Sequence, residues 1–212
     1  YLPRLHDGQP PVAQLRITDA QGKVLVERPW TLEHYHDKRD PWPMPPTGAT
    51  VLTATVTGVE HWLAFSYPAT PLVLLGEAQP EGWQRFNLEV GTARNYYFRV
   101  PAETTSFKVR TSTANADQVL DLEVNAPDRT MARIFGQKGE AEVRVPPGLA
   151  GKLWHLRLDI GGSSRLVTQG PPETMPYQGL ILALDLQGVP GLLSPTWEQW
   201  FDPAQPKAAL AR

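Results

Sequence analysis

The sequence predicts an all-β fold, with one or two antiparallel β-sandwich units of jelly-roll or immunoglobulin-like type and a short C-terminal helix. The first observation is segment 152–160, in which Trp154, Leu156 and Leu158 alternate with polar residues. A period of two indicates a strand that buries one face, so Trp154 is predicted to lie in a core. The second observation is a series of eight short segments at regular intervals, separated by turn residues and without helical periodicity. Such a series is typical of a sandwich or a jelly roll.

Composition limits the number of units and the classes of partner. The chain has 212 residues, of which 41% are hydrophobic, and this is enough for two cores of sandwich size. We expect an N-terminal unit at residues 1–79 and a C-terminal unit at 80–212, because Pro80 and Gly82 interrupt the strand pattern there. The formal net charge of −2 argues against nucleic acid as a partner. The apolar runs are far shorter than the roughly 20 residues that a membrane span needs, so none is expected.

The N-terminal unit is predicted to consist of strands around one long loop. Residues 12–18 and 23–27 alternate in polarity on either side of a turn with Gly22, which predicts a β-hairpin. Threonine and valine are frequent in the segments that follow the loop, and both suit a half-buried pleated surface. Those predicted strands are residues 50–57, 61–67 and 71–75.

The C-terminal unit is predicted to hold the eight regularly spaced strands. Turn residues separate them, and this pattern argues against an alternating α/β enzyme fold. The predicted strands are residues 85–90, 95–100, 106–112, 119–125, 130–135, 141–145, 152–160 and 179–187.

A short helix is predicted after the last strand. Ser194 can cap a helix and Pro195 suits the first helical position. Trp197, Trp200 and Phe201 are three and four residues apart, so they would share one helical face and pack against the sandwich edge.

The loop at residues 29–48 is the candidate ligand or interface site. Its prolines cannot donate to a strand ladder, and so long a loop is typical of a functional segment. Trp30, Tyr35 and Trp42 could stack on sugar rings with Glu33 bonding hydroxyl groups, could contact another subunit or domain, or could simply pack within the loop. We predict the interface, because prolines flank Trp42 directly and stiffen the segment that presents it.

The same loop holds the candidate metal ligands His34, His36 and Asp37. In an extended segment His34 and His36 point to the same side, so they could share one ion. The alternative is a solvated polar loop, because no third histidine is fixed nearby. No cofactor is expected, with calcium or another divalent metal left as the alternative.

No segment predicts an enzyme. Gly162-Ser163-Ser164 is a turn rather than the strand-to-helix elbow of a nucleophilic serine. Glu33 and Asp37 lie in one loop, without other support for the paired carboxylates of a glycosidase. We therefore expect a chain without catalytic activity.

Three segments of the C-terminal half carry recognisable turn and strand motifs. In residues 95–109 an aromatic strand runs into Val-Pro-Ala, and in residues 142–157 a Pro-Pro-Gly turn precedes a strand with a central tryptophan. Together with residues 186–195, these segments resemble bacterial pre-peptidase C-terminal-type β-sandwich modules, as found at the C-terminus of large secreted glycosidase-like proteins. The resemblance covers about residues 84–201. It implies an extracytoplasmic location (secreted, periplasmic or cell surface) and a non-catalytic, appended role. In some members acidic residues hold calcium, and the nearest matches are Asp117 and Asp121.

These observations together predict a non-catalytic accessory module of a larger exported bacterial protein, serving domain packing, assembly or surface attachment. The alternative is a carbohydrate-binding module or part of a polysaccharide-active enzyme. The expected partners are other domains or subunits of the larger protein, with polysaccharide as the alternative. The chain opens with Tyr1 and shows no signal-peptide pattern, so either a signal has been removed or the chain is a piece of a longer protein, and we expect the piece.

Overall fold

The computed structural model describes residues 13–30, 51–57, 71–90, 93–114, 118–160 and 180–204. The chain divides into two compact units, one of residues 1–66 with 203–210 and one of residues 67–202 with 211–212. The predicted boundary between residues 79 and 80 lies further along the chain than this division. The described strands are β1 (Ala13–Asp19), β2 (Val24–Trp30), β3 (Leu52–Thr57), β4 (Leu74–Leu75), β5 (Glu77–Ala78), β6 (Trp83–Val90), β7 (Arg94–Arg99), β8 (Ser106–Thr113), β9 (Leu120–Asn125), β10 (Thr130–Gly136), β11 (Lys138–Arg144), β12 (Leu153–Ile160), β13 (Leu180–Gln187) and β14 (Leu192–Leu193).

The first unit contains a three-stranded antiparallel sheet in the order β2-β1-β3. The predicted hairpin of β1 and β2 is confirmed, and the Asp19 carboxylate accepts hydrogen bonds from the backbone N–H groups of Gln21 (3.0 Å) and Lys23 (2.9 Å) in its turn. β2 continues past the predicted end to Trp30 and includes Pro29. A proline is tolerated there because β2 is an edge strand of the described sheet. The predicted strand at 61–67 lies outside the described residues.

The described residues of the second unit form an eight-stranded jelly roll with short added strands. One sheet has four strands in the order β10-β9-β12-β7, and the other has five in the order β11-β8-β13-β6-β5. Within these sheets β6 pairs with β13, β7 with β12, β8 with β11 and β9 with β10. The first of these eight strands therefore pairs with the last, the second with the second-to-last, and so on inwards. This is the strand pairing of a jelly roll. The predicted antiparallel β-sandwich is therefore confirmed.

The core lies between the two sheets, and strand periodicity explains which side chains enter it. On β12, Trp154, Leu156 and Leu158 are each at most 1% exposed, as the alternation predicts. The Trp154 ring lies 5.5 Å from that of Phe107 at an angle of 80°, an edge-to-face contact. Its Nε1 donates a hydrogen bond to the Leu149 carbonyl at 3.0 Å, so its one polar atom is satisfied in the core. The predicted core position of Trp154 is confirmed.

The predicted C-terminal helix is wrong. The described residues 194–204 form turns, because Ser194 instead pairs its backbone with Tyr97 of β7 through hydrogen bonds of 2.7 and 2.8 Å. The Ser194 carbonyl accepts from the Tyr97 N–H, so it is engaged by the sheet rather than by the first turn of a helix. Trp200 is buried at 7% exposure whereas Trp197 is 55% exposed, so the two rings do not share one packed face.

Candidate interaction surfaces

The predicted loop site falls almost entirely outside the described residues. Trp30 is the last residue of β2, where its backbone lies opposite Ala13 of β1. The interface, glycan and metal hypotheses for this loop stay predictions. The residues outside the described part are Glu33, His34, Tyr35, His36, Asp37 and Trp42.

The second metal alternative concerned Asp117 and Asp121. Asp117 lies outside the described residues, and Asp121 faces outward from β9. Both carboxylate oxygens of Asp121 accept hydrogen bonds from Arg133, from Nε at 2.7 Å and from Nη2 at 2.5 Å. The Arg133 guanidinium lowers the pKa of Asp121 below its ordinary value. Within the described ranges no group of three or more histidine, aspartate or glutamate side chains could hold a metal ion.

The outward face of the five-stranded sheet carries alternating charges in register. Register pairs Glu77 with Arg85, Arg85 with Asp185, Asp185 with Arg110, and Arg110 with Glu140. The signs alternate across all five strands, so each charge has an opposite charge on the neighbouring strand, as favourable cross-strand pairs do. We call these five residues the charge row.

Asp185 is the centre of the charge row and is only 2% exposed. Arg85 donates to it from Nε at 2.8 Å and from Nη2 at 3.1 Å, and Arg110 donates from Nε at 3.0 Å. Burial alone raises the pKa of Asp185, but the hydrogen bonds and positive charges of the two arginines outweigh it and lower the pKa. Asp185 therefore stays ionised between two guanidinium groups.

Trp83 closes this face beside the charge row. Its odd position on β6 is opposite in parity to the inward-facing Phe86, so Trp83 points outward. It is nevertheless only 4% exposed. The Arg110 guanidinium carbon lies 4.2 Å from its ring centroid, in cation–π geometry. Arg110 therefore bonds Asp185 and covers Trp83 at the same time.

The outward face of the four-stranded sheet carries a pair of rings. His155 of β12 lies opposite Asn125 of β9 on one side and Tyr97 of β7 on the other, and Tyr97 in turn pairs with Ser194. The centroids of the Tyr97 and His155 rings are 5.5 Å apart with a tilt of 36°. Both side chains are half-buried. Burial lowers the pKa of His155, against the opposing effect of the Glu123 carboxylate.

A mixed row of charges lies two residues further along the same face. Register places Arg133 opposite Glu123, Glu123 opposite Arg157, and Arg157 opposite Asn95. The Arg157 guanidinium lies 3.4 Å from Glu123 and 3.4 Å from Asp159. We call Tyr97, His155, Asn95 and Arg157, with Arg99 of β7, the Tyr97 surface.

Sequence reasoning did not identify either outward face. The signal was present only as parity: Asp185 stands between Leu184 and Leu186 in an apolar strand, so period two points it outward. Its partners Arg85 and Arg110 are 100 and 75 residues away in sequence, and only the strand order brings them together.

Comparisons with known proteins leave the family open. No protein-family model matches the chain, and no curated protein matches it. A similar solved structure is the infectious bursal disease virus VP2 subviral particle, at 9% identity and a TM-score of 0.21, covering 91% of this chain and 60% of that chain. Another is the structure of infectious bursal disease virus Gt strain, at 10% identity and a TM-score of 0.17, covering 95% of this chain and 68% of that one. At these scores neither likeness carries an argument about the function.

The structure also bears on the membrane prediction. None of the described residues form a helix that is both long and apolar enough to cross a membrane.

Proposed function

We propose that this chain is a non-catalytic accessory module of a larger exported bacterial protein, and that it serves domain packing, assembly or surface attachment. The resemblance of residues 84–201 to pre-peptidase C-terminal-type modules motivates the extracytoplasmic location. The jelly roll itself is compatible with such a role, since this architecture presents two broad sheet faces to its surroundings.

The observation that carries the proposal is geometric: guanidinium groups hold the outward-facing carboxylates of Asp185 and Asp121 at hydrogen-bond distance. Asp185 and Asp121 both have lowered pKa values, because guanidinium groups bond their oxygens. A general acid needs a raised pKa near the working pH, which burial without a cationic partner provides. These two carboxylates instead form fixed ion pairs, as expected for groups that order a surface rather than transfer protons.

Fractionation of the producing bacterium tests the location and the larger protein together. An antibody raised against this chain is expected to detect a band well above 23.5 kDa, the mass of the 212 residues, in the periplasmic, surface or secreted fraction. A band confined to the cytosol would contradict the proposal.

An activity screen tests the non-catalytic part. The purified chain is expected to release no reducing ends from a panel of polysaccharides. Turnover that a single carboxylate-to-amide substitution abolishes would show that the chain is an enzyme.

A further inference from the structure

The rings of the Tyr97 surface are held in place before any ligand binds. Tyr97 and His155 occupy directly opposed positions on β7 and β12, with ring centroids 5.5 Å apart. Aromatic rings that already pack on a neighbour lose little conformational freedom on binding. A half-buried ring on an outward sheet face can offer one side to a flat apolar surface, such as the face of a sugar ring.

Arg157 is bonded more loosely than Arg85 and Arg133. Its two carboxylate contacts are both 3.4 Å, whereas Arg85 and Arg133 bond their carboxylates at 2.5 to 3.1 Å. Charge-assisted hydrogen bonds are usually about 2.7–2.9 Å long. The Arg157 side chain is also 43% exposed. An incoming carboxylate therefore competes only with these long contacts, and it meets the like charges of Glu123 and Asp159 beside them.

The strand that carries Tyr97 is cationic. β7 reads Arg-Asn-Tyr-Tyr-Phe-Arg and contains no carboxylate. Asn95 and Arg99 are exposed and lie two residues on either side of Tyr97, so they face the same way. Asn95 also lies opposite Arg157. The ring is thus flanked by an amide and by two guanidinium groups.

We propose that the Tyr97 surface binds an acidic polysaccharide, with the Tyr97 ring against a sugar face, Arg157 and Arg99 bonding its carboxylates, and Asn95 bonding its hydroxyl groups. This inference rests on the proposed attachment role and names the class of partner. Charge complementarity favours an acidic rather than a neutral glycan, because β7, the strand that carries the ring, has two arginines and no carboxylate.

Affinity electrophoresis of the full chain tests the proposal. Native gels contain alginate or polygalacturonate as acidic probes, or hydroxyethylcellulose as the neutral probe. The acidic gels are expected to retard the chain, less so at raised salt, and the neutral gel is not. Tyr97→Ala is expected to weaken retention about five- to tenfold, and Arg157→Ala about tenfold.

Two variants serve as controls. Tyr97→Phe keeps the ring and is expected to keep retention. Arg133→Ala removes a guanidinium from the opposite edge of the same sheet, where it bonds Asp121, and is expected to bind like the wild type. Because Arg157 is an outward-facing residue, Arg157→Ala keeps the test decisive even if Tyr97→Ala fails to fold.

Two outcomes overturn the inference: equal mobility in acidic and neutral gels, or wild-type retention of both Tyr97→Ala and Arg157→Ala. The fractionation experiment is independent of both. If fractionation finds a larger extracytoplasmic protein but the chain does not bind acidic polysaccharide, this inference is overturned and the proposed function stands.

Discussion

Replacing Asp185 by asparagine removes the central charge of the charge row while keeping the shape of the side chain. The Asp185 side chain is 3% exposed, whereas those of Arg85 and Arg110 are 35% and 37% exposed. Breaking a fully buried pair costs about 3–5 kcal/mol. Solvent screens both arginines, so we discount this to about 2–3 kcal/mol of unfolding free energy at neutral pH. For a chain of this size that lowers the melting temperature by about 5–10 °C.

Urea denaturation at neutral pH measures this change, because urea adds no salt to screen the charges. The matched control is Asp128→Asn, which removes a carboxylate that Arg129 bonds at 2.7 and 3.1 Å, with the Arg129 and Asp128 side chains 59% and 48% exposed. The control is expected to leave the denaturation midpoint unchanged. Equal midpoints for the two variants would refute the reasoning that burial makes Asp185 stabilising.

The pH dependence has a defined sign. The pKa of Asp185 is lowered in the folded chain, so its stabilisation is present above the unfolded value of about 3.9 and is lost as the pH falls through the folded pKa. The gap between wild type and Asp185→Asn is therefore expected to be full at neutral pH and to shrink below about pH 4. A gap that widens on acidification would contradict the lowered pKa.

The remaining predictions concern the core and the corrected C-terminal segment, and urea denaturation measures all three. Trp154→Phe is expected to cost about 2–4 kcal/mol, because it leaves a gap and an unpaired Leu149 carbonyl in the core; a change below the error of the method would contradict this. Gly139→Ala is expected to cost about 1–3 kcal/mol, since the added Cβ would overlap an isoleucine methyl group of β10, and wild-type stability would show that the sheet yields there. Trp200→Ala is expected to cost about 2–4 kcal/mol and Trp197→Ala less than about 0.5 kcal/mol. Equal losses for the two tryptophans would favour the helix that the sequence predicted.

Strand positions followed from the sequence because alternation and turn chemistry are local. The segment predicted at 152–160 appears as β12 at Leu153–Ile160, and Trp154 lies in the core as its parity requires. The buried face of a strand can be recognised from the residues of that strand alone.

The C-terminal helix was wrong because a tertiary contact outweighed local preference. Ser194, Pro195 and the tryptophan spacing all favour a helix, but pairing of Ser194 with Tyr97 extends the four-stranded sheet and fixes the backbone. Local propensity is a weak guide where a sheet edge is available.

The two outward faces could not be predicted, because their chemistry depends on strand order. Alternation shows that Asp185 points outward, but which arginines meet it depends on β13 lying between β6 and β8. In the same way, Tyr97 and His155 meet only because β7 pairs with β12.

Both surfaces therefore depend on the nested strand pairing, and disulfide trapping tests that pairing most directly. The chain has no cysteine, and register places Asn87 of β6 opposite Ala183 of β13 and Ala183 opposite Ser112 of β8. The double variant Asn87→Cys, Ala183→Cys is expected to form an intramolecular disulfide in air, because directly opposed Cα atoms in an antiparallel pair lie about 4.5–5.5 Å apart, within the range of about 4.4–6.8 Å that disulfides span. The variant Asn87→Cys, Ser112→Cys is expected to keep free thiols, because its strands are two spacings, roughly 10 Å, apart. A disulfide in the second variant and free thiols in the first would contradict the jelly roll.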